Sequence, residues 1–242
     1  MHDAAYSRAS RFAALFIPPR CSLCLATTEP DQPLCTQCQQ RARLTPPGAI
    51  QLNHSGLDAA FAAFDYAGTV SEMVKALKYR GAVALAGVMS EMASRRLPSD
   101  FLAPGAVLVP APSHPASHRA RGFNPAALFA KALANRHGLA FADQLARDGS
   151  RPPQAKLSRA ERLTMPDDAV RMRYARLRPW RRNPLAEFPP NVVVCDDVTT
   201  TGVTLEVCAF AIRERYGLED RPVQIKGLAF ASARQTSPSH GG

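Results

Sequence analysis

The chain has 242 residues, 46% of them hydrophobic, and a formal net charge of +10 at pH 7. That is enough for one sizeable domain with a real core and a small appendage, and the lack of any apolar run of about 18 residues excludes a membrane-spanning helix. Most of the basic residues are arginines, whose planar fork matches phosphate geometry, so anionic partners are expected.

Residues 1–19 carry basic side chains and a short apolar patch at 12–17. The patch is too short for a secretory signal and no small-residue cleavage site follows, so a short amphipathic helix in a cytoplasmic protein is expected. Two Cys-x-x-Cys knuckles come next, Cys21-Ser-Leu-Cys24 and, ten residues later, Cys35-Thr-Gln-Cys38. Each offers two thiolates on a tight turn, and the two pairs complete a tetrahedral four-cysteine zinc site. The residues between them, including Thr27, Pro30, Asp31 and Pro33, cannot build a core alone, so the metal would supply folding energy. Disulfides are the competing reading, disfavoured without a secretory signal. A closed four-thiolate site is structural and receives no catalytic role.

These features divide the chain into an N-terminal module at 1–45, a linker at 46–56 containing Pro46-Pro47-Gly48, a main domain at 57–234 and a disordered polar tail at 235–242. In the main domain, 61–66 reads as a strand and 70–79 as a helix with Val70, Val74 and Leu77 on one face. That helix ends in Lys78-Tyr79-Arg80-Gly81, which suits an anion-binding turn or a solvated helix end equally well. A second helix is expected over 82–97, then a strand over 106–109 closed by Pro110-Ala111-Pro112. His114, His118, Arg119, Arg121, Gly122, Phe123 and Asn124 look like a flexible loop that contacts anions. The spacing of the two histidines would suit a metal, but Pro115 separates them and no further ligand is obvious. A helix over 126–137 and a strand over 141–145 follow. Residues 147–182 hold ten arginines and one lysine against four acids, so they could close over a charged substrate, cover a polyanion or form a solvated loop. A last strand is expected over 224–230.

The stretch around which the chain is organised is 191–205. It opens with the apolar run Val192-Val193-Val194-Cys195, without alternation, as in a strand covered on both faces. Asp196-Asp197 follow, then Thr199-Thr200-Thr201-Gly202, and from Thr204 the apolar spacing becomes helical. Past the carboxyl end of a parallel strand, two adjacent acids can accept hydrogen bonds from a sugar diol. Gly202 permits close approach of the backbone, and the helix start favours a phosphate. A ribose 5-phosphate satisfies both halves. Cys195 and Cys208 occupy apolar positions and read as core.

This order of apolar run, acid pair and Thr/Gly loop resembles the phosphoribosyl-diphosphate (PRPP) signature of type I phosphoribosyltransferases. Adding the double Cys-x-x-Cys, Leu77-Lys-Tyr-Arg-Gly81, Val109-Pro-Ala-Pro112 with His114, Arg121-Gly-Phe-Asn124, Arg151 with Gln154 and Leu157, and Glu161-Arg162, the chain resembles the ComF family (ComFC or GntX) over roughly residues 15–233. The resemblance implies an α/β fold, a type I phosphoribosyltransferase-like parallel sheet flanked by helices, behind a small N-terminal four-cysteine zinc module. It implies that Asp196 and Asp197 hold the ribose hydroxyls and that Thr199, Thr200, Thr201, Gly202 and Thr204 bind the 5-phosphate. Lys78, Tyr79, Arg80 and Gly81 would receive the pyrophosphate, and Arg121 and Gly122 would belong to a flexible loop over the site. Mg²⁺ would arrive with PRPP.

Two positions depart from the family pattern: Ala111 replaces the central valine of Pro-Val-Pro, and Pro125 replaces a glutamine. Pro125 removes a side-chain amide and a backbone donor beside the proposed loop, which bears on substrate specificity more than on PRPP binding; it also suits a helix start. The implied activity is phosphoribosyl transfer to an unidentified acceptor, in a protein associated with natural competence and DNA uptake. No general base is assigned, and Glu161 qualifies only by lying beside a basic segment. The alternatives are a non-catalytic PRPP sensor and an accessory protein that contacts single-stranded DNA or a competence helicase. Aromatics for base stacking are sparse near the basic region, which counts against a single-strand platform.

Overall fold

A computed structural model describes residues 18–50, 56–147, 170–172, 185, 189–216 and 223–233. The helix expected at 1–19, most of the arginine-rich segment and the tail lie outside the described residues.

A five-stranded sheet forms the frame. Its strands are β1 (Ala59–Asp65), β2 (Val107–Pro110), β3 (Ala140–Phe141), β6 (Asn191–Thr199) and β7 (Gln224–Ser232), all parallel, in the spatial order β1-β7-β6-β2-β3. A short antiparallel hairpin, β4 (Leu145–Arg147) with β5 (Val170–Met172), stands apart from it. The strand expected at 141–145 is therefore two pieces in two sheets.

The central strand shows why the valine run does not alternate. Val193 and Cys195 enter one apolar cluster with Phe64, Met73, Leu77, Met89, Phe129 and Phe230. Val192 and Val194 enter the other, with Leu205, Cys208, Ile212 and Ile225. Both faces of β6 are thus covered, as a parallel sheet requires. On the first face lie α2 (Gly68–Tyr79), α3 (Leu85–Ser94) and α5 (Pro125–His137); on the second lies α6 (Val203–Tyr216). Helix α2 buries Val70, Met73, Val74, Ala76 and Leu77, one stripe at spacings of three and four.

The basic stretch read as a loop is instead helix α4 (Pro115–Arg121). Pro115 occupies its first turn, the His114 ring accepts a hydrogen bond from the Ala116 N–H, and Gly122 closes it at φ 78. The same devices start α5: Pro125 is its first residue, and the Asn124 side chain caps it. Pro125 therefore sits where its missing N–H costs nothing.

The N-terminal module contains helix α1 (Thr36–Arg43) and packs Cys21, Leu34, Cys38 and Ala42 against the first apolar cluster. Residues 46–50, in the expected linker, run beside the edge strand: Gly48 bridges Ala62, and the Asp65 N–H donates to the Pro46 carbonyl at 2.8 Å. They cover part of an edge that would otherwise be open. A Cβ on Gly48 would overlap the Phe64 carbonyl and the Ser232 hydroxyl, so the close approach needs glycine.

Arg96 braces module and sheet together. Its guanidinium donates to the carbonyl of Arg43, just at the end of α1, at 2.6 Å and to that of Ala63 in β1 at 3.1 Å, and lies 4.0 Å from the centroid of the Phe64 ring. Replacement by alanine removes two charge-assisted bonds and a stacked plane. Arg96→Ala is expected to lower the unfolding free energy by about 2 kcal/mol in urea titrations. A loss below about 0.5 kcal/mol, the level of an ordinary surface change, would contradict a bracing role.

Candidate functional site

Topology gives the crevice its place. From β2 the chain moves outward to β3 at one edge; from β6 it moves outward to β7 on the other side. The neighbours β2 and β6 therefore form the switch point, where ligands of such sheets bind past the carboxyl ends. At that end β2 runs into Ala111, whose N–H donates to the Cys195 carbonyl at 2.8 Å. Asn124 ties down the same rim: its amide donates to the Ala111 carbonyl at 2.8 Å, and its oxygen accepts from Ser113 Oγ at 2.8 Å. Residue 124 thus braces the rim as well as starting α5, a role the sequence reading did not assign.

The acid pair lies within β6 rather than beyond it, because pairing with β7 continues to Thr199 opposite Ser232. Successive side chains of a strand point to opposite faces. Asp197 follows Val193 and Cys195 onto the α2 face, where its Oδ2 lies 2.7 Å from Lys78 Nζ. That oxygen is buried and lacks a well-directed hydrogen bond, so charge is what holds it. Asp196 faces the α6 side, and its Oδ1 accepts the Asp197 N–H at 2.8 Å.

One ammonium thus serves two carboxyls. For Asp196, burial and then the Asp197 carboxylate push the carboxyl up to about 8, against the pull of Lys78. For Lys78, burial opposes the charge, but Asp197 and Asp196 outweigh it and hold the ammonium above its ordinary range. With no ligand bound, the site stores a proton on Asp196 through neutral pH.

Beyond the acids comes the Thr/Gly loop. The Gly202 N–H donates to Thr199 Oγ1 at 3.0 Å, and the Gly202 carbonyl accepts from Leu205 and Glu206, which opens α6. Gly202 has φ 81, the left-handed region that suits glycine. Thr199 is buried, Thr200 is exposed, and Thr201 and Thr204 are half-buried. The first N–H groups of a helix have no acceptors within it, so this end favours an anion.

The other expected residues form a rim. Tyr79 is 75% exposed, and the Arg121 guanidinium lies 6.0 Å from its ring centroid. This contact brings the expected pyrophosphate turn beside the end of α4. Gly81 turns the chain at φ 67. Arg80 points elsewhere, 3.5 Å from Glu72. Gly122 closes α4 through its N–H to the His118 carbonyl.

The four knuckle cysteines make a second, separate site. Their sulfur atoms all lie within 4.8 Å of one another, and those of Cys24 and Cys35 are 3.6 Å apart. A tetrahedron with Zn–S bonds of 2.3 Å has sulfur–sulfur edges of about 3.8 Å, so the arrangement fits a zinc ion. All four are free thiols, not disulfides. Burial opposes ionisation of Cys21, but the N–H groups of Cys24, Cys35 and Leu23 and the Cys24 thiol bring it down to about 6. Burial and the three neighbouring sulfurs push Cys38 up. Such a cluster ionises fully only around a cation. A cavity of about 630 Å³ opens on this module, lined by Thr27, Thr28, Gln32, Gln37 and their neighbours, none of them from the switch-point crevice.

The purified chain is expected to carry a single zinc, lost in Cys38→Ser, with a melting temperature that falls on chelation. Elemental analysis and thermal melts check this. A metal-free protein with an undiminished melting temperature would contradict a metal-held module.

Among the described residues no helix is long and apolar enough to cross a membrane. A scan of protein-family models finds none that matches this chain, and a search of curated proteins finds no match to it either.

Proposed function

We propose that the switch-point crevice binds PRPP with Mg²⁺ and that the chain is a phosphoribosyltransferase-like protein of the ComF family. The observation that carries this reading is the meeting of three features at one strand end. They are the Asp196-Asp197 pair, the Lys78 ammonium on Asp197, and a Thr/Gly loop leading into the start of α6.

Each feature has a partner on PRPP. The 2- and 3-hydroxyls donate to the carboxyls of Asp196 and Asp197. The 5-phosphate lies at Thr199, Thr200, Thr201, Gly202 and Thr204, against the α6 dipole. The pyrophosphate draws Lys78, with Tyr79, Arg80 and Gly81 around it, and Arg121 and Gly122 approach from α4. Mg²⁺ would arrive bound to PRPP and would supply positive charge for the leaving pyrophosphate. In the transfer step an acceptor nucleophile forms a bond to C1 of the ribose. The C1–O bond breaks, and its electron pair leaves with the pyrophosphate. Basic residues and Mg²⁺ stabilise that leaving group.

By the same resemblance the setting is natural competence and DNA uptake. A DNA or helicase partner would draw on the arginines of 147–182, most of which lie outside the described residues, so the nucleotide reading leads. A sensor without chemistry would bind PRPP and release no pyrophosphate.

Calorimetric titration of Mg²⁺–PRPP into the zinc-loaded protein tests the reading. Binding is expected to the wild type and to be at least about tenfold weaker in Asp197→Asn, the scale of one charge-assisted contact. A folded wild type that takes up no PRPP would remove the basis for this function.

A further inference from the structure

Arg147 is not explained by the PRPP site. It ends β4 and stands opposite Val170 in the small hairpin. Leu145, two residues earlier, is buried with Val107, Val109, Val194 and Cys208 on the α6 side of the sheet. Residues two apart on a strand share a face, so Arg147 points the same way. A guanidinium there occupies a position suited to an apolar side chain.

Arg147 Nε and Nη2 are both shut off from solvent, and among the described residues neither meets an acceptor. These two nitrogens form one side of the guanidinium, the side that grips a carboxylate or phosphate with two parallel N–H bonds. Arg147 as a whole is half-buried, but donors shut off from solvent are normally paired, and leaving them empty is costly. Asp196, the acid that faces α6, lies on the same side of the sheet. Burial and then Asp196 push the Cys208 thiol up, while Arg147 pulls it down, so both charges act on one sulfur of α6.

We propose that Arg147 recognises the carboxylate or phosphate group of an anionic ligand that enters the crevice on its α6 side. If the crevice is a phosphoribosyl site, which is the reading above, that ligand is the acceptor. The acceptor then carries an anionic group that receives the Nε–Nη2 edge while its nucleophilic atom faces the ribose. Lysine could not replace Arg147, because an ammonium lacks the planar fork.

The full chain is titrated with benzoate and, separately, with inorganic phosphate, following melting temperature and heat of binding. Wild type is compared with Arg147→Met, which keeps length without charge, and Arg147→Lys, which keeps charge without the fork. Without ligand, Arg147→Met should melt at or above the wild type, because two buried unpaired donors have been removed. At least one probe should stabilise the wild type and bind Arg147→Met about tenfold or more weakly, with Arg147→Lys also impaired. Benzoate dependence would identify a carboxylate ligand, and phosphate dependence a phosphorylated one.

The proposal is overturned if both variants melt well below the wild type without ligand, which would make Arg147 a structural residue. It is also overturned if neither probe binds the wild type, or if binding is equal in wild type and Arg147→Met. In the last case any phosphate effect belongs to the Thr199–Gly202 loop. Mg²⁺–PRPP binding is measured alongside and should be unchanged in Arg147→Met. Failure of PRPP to bind the wild type, with probe binding still dependent on Arg147, would remove the phosphoribosyl reading and leave this one standing.

Discussion

The ion pair between Lys78 and Asp197 is the constraint on which the rest of the site depends. Two adjacent acids point to opposite faces of β6, and one ammonium pairs with Asp197 and acts on Asp196 through its charge alone. Burial and then the neighbouring Asp197 carboxylate hold a proton on Asp196 to about pH 8, against the pull of Lys78. An unfolded aspartate gives up its proton near pH 4. Between those values the folded chain binds more protons than the unfolded chain, so this group removes stability as pH rises through that window. A ligand that brings cations or hydroxyl donors to the crevice relieves that strain. A polyanion that draws Lys78 away must be matched by a cation or a diol placed on Asp197. The two halves of the crevice are thereby linked through a single side chain.

The fold supplies this arrangement from ordinary parts. Parallel pairing brings Lys78, at the end of α2, over the carboxyl end of β6, and it opens a crevice where the connections of β2 and β6 diverge. Asn124 and Ser113 fix the β2 rim, while Arg96 fixes the cysteine module to β1. The module is thus bonded to the frame that carries the acids, although its own cavity and metal-sized cluster are separate from them. Arg213 performs a similar task on the other face, donating to the Gly56 carbonyl and to Asp58, which in turn accepts from the Ile225 N–H.

Local chemistry was legible wherever it depends on adjacent residues. The unbroken valines marked a strand covered on both faces, the knuckle spacing marked a four-thiolate cluster, and the spacing of Val70, Val74 and Leu77 marked the face that α2 buries. The stretch at 115–121 was hidden by its charge: basic residues suggested a loop, although Pro115 at the start and Gly122 at the end are helix boundaries. The continuation of β6 through the acids could not be seen, because it depends on β7 pairing as far as Ser232. The same holds for Arg147, one arginine among many in the sequence, whose empty donor edge exists only once the hairpin lies against α6. Partners were the least legible, since a basic composition attracts every polyanion alike.

The most direct test is carbon-detected NMR of the aspartate carboxyls, with the Asp196 signal assigned by its loss in Asp196→Asn. The expected result is one carboxyl that titrates near pH 8 in the unliganded protein and becomes ionised at neutral pH when Mg²⁺–PRPP is added. An Asp196 signal that titrates near pH 4, as an ordinary exposed acid does, and does not respond to Mg²⁺–PRPP would contradict the site described here.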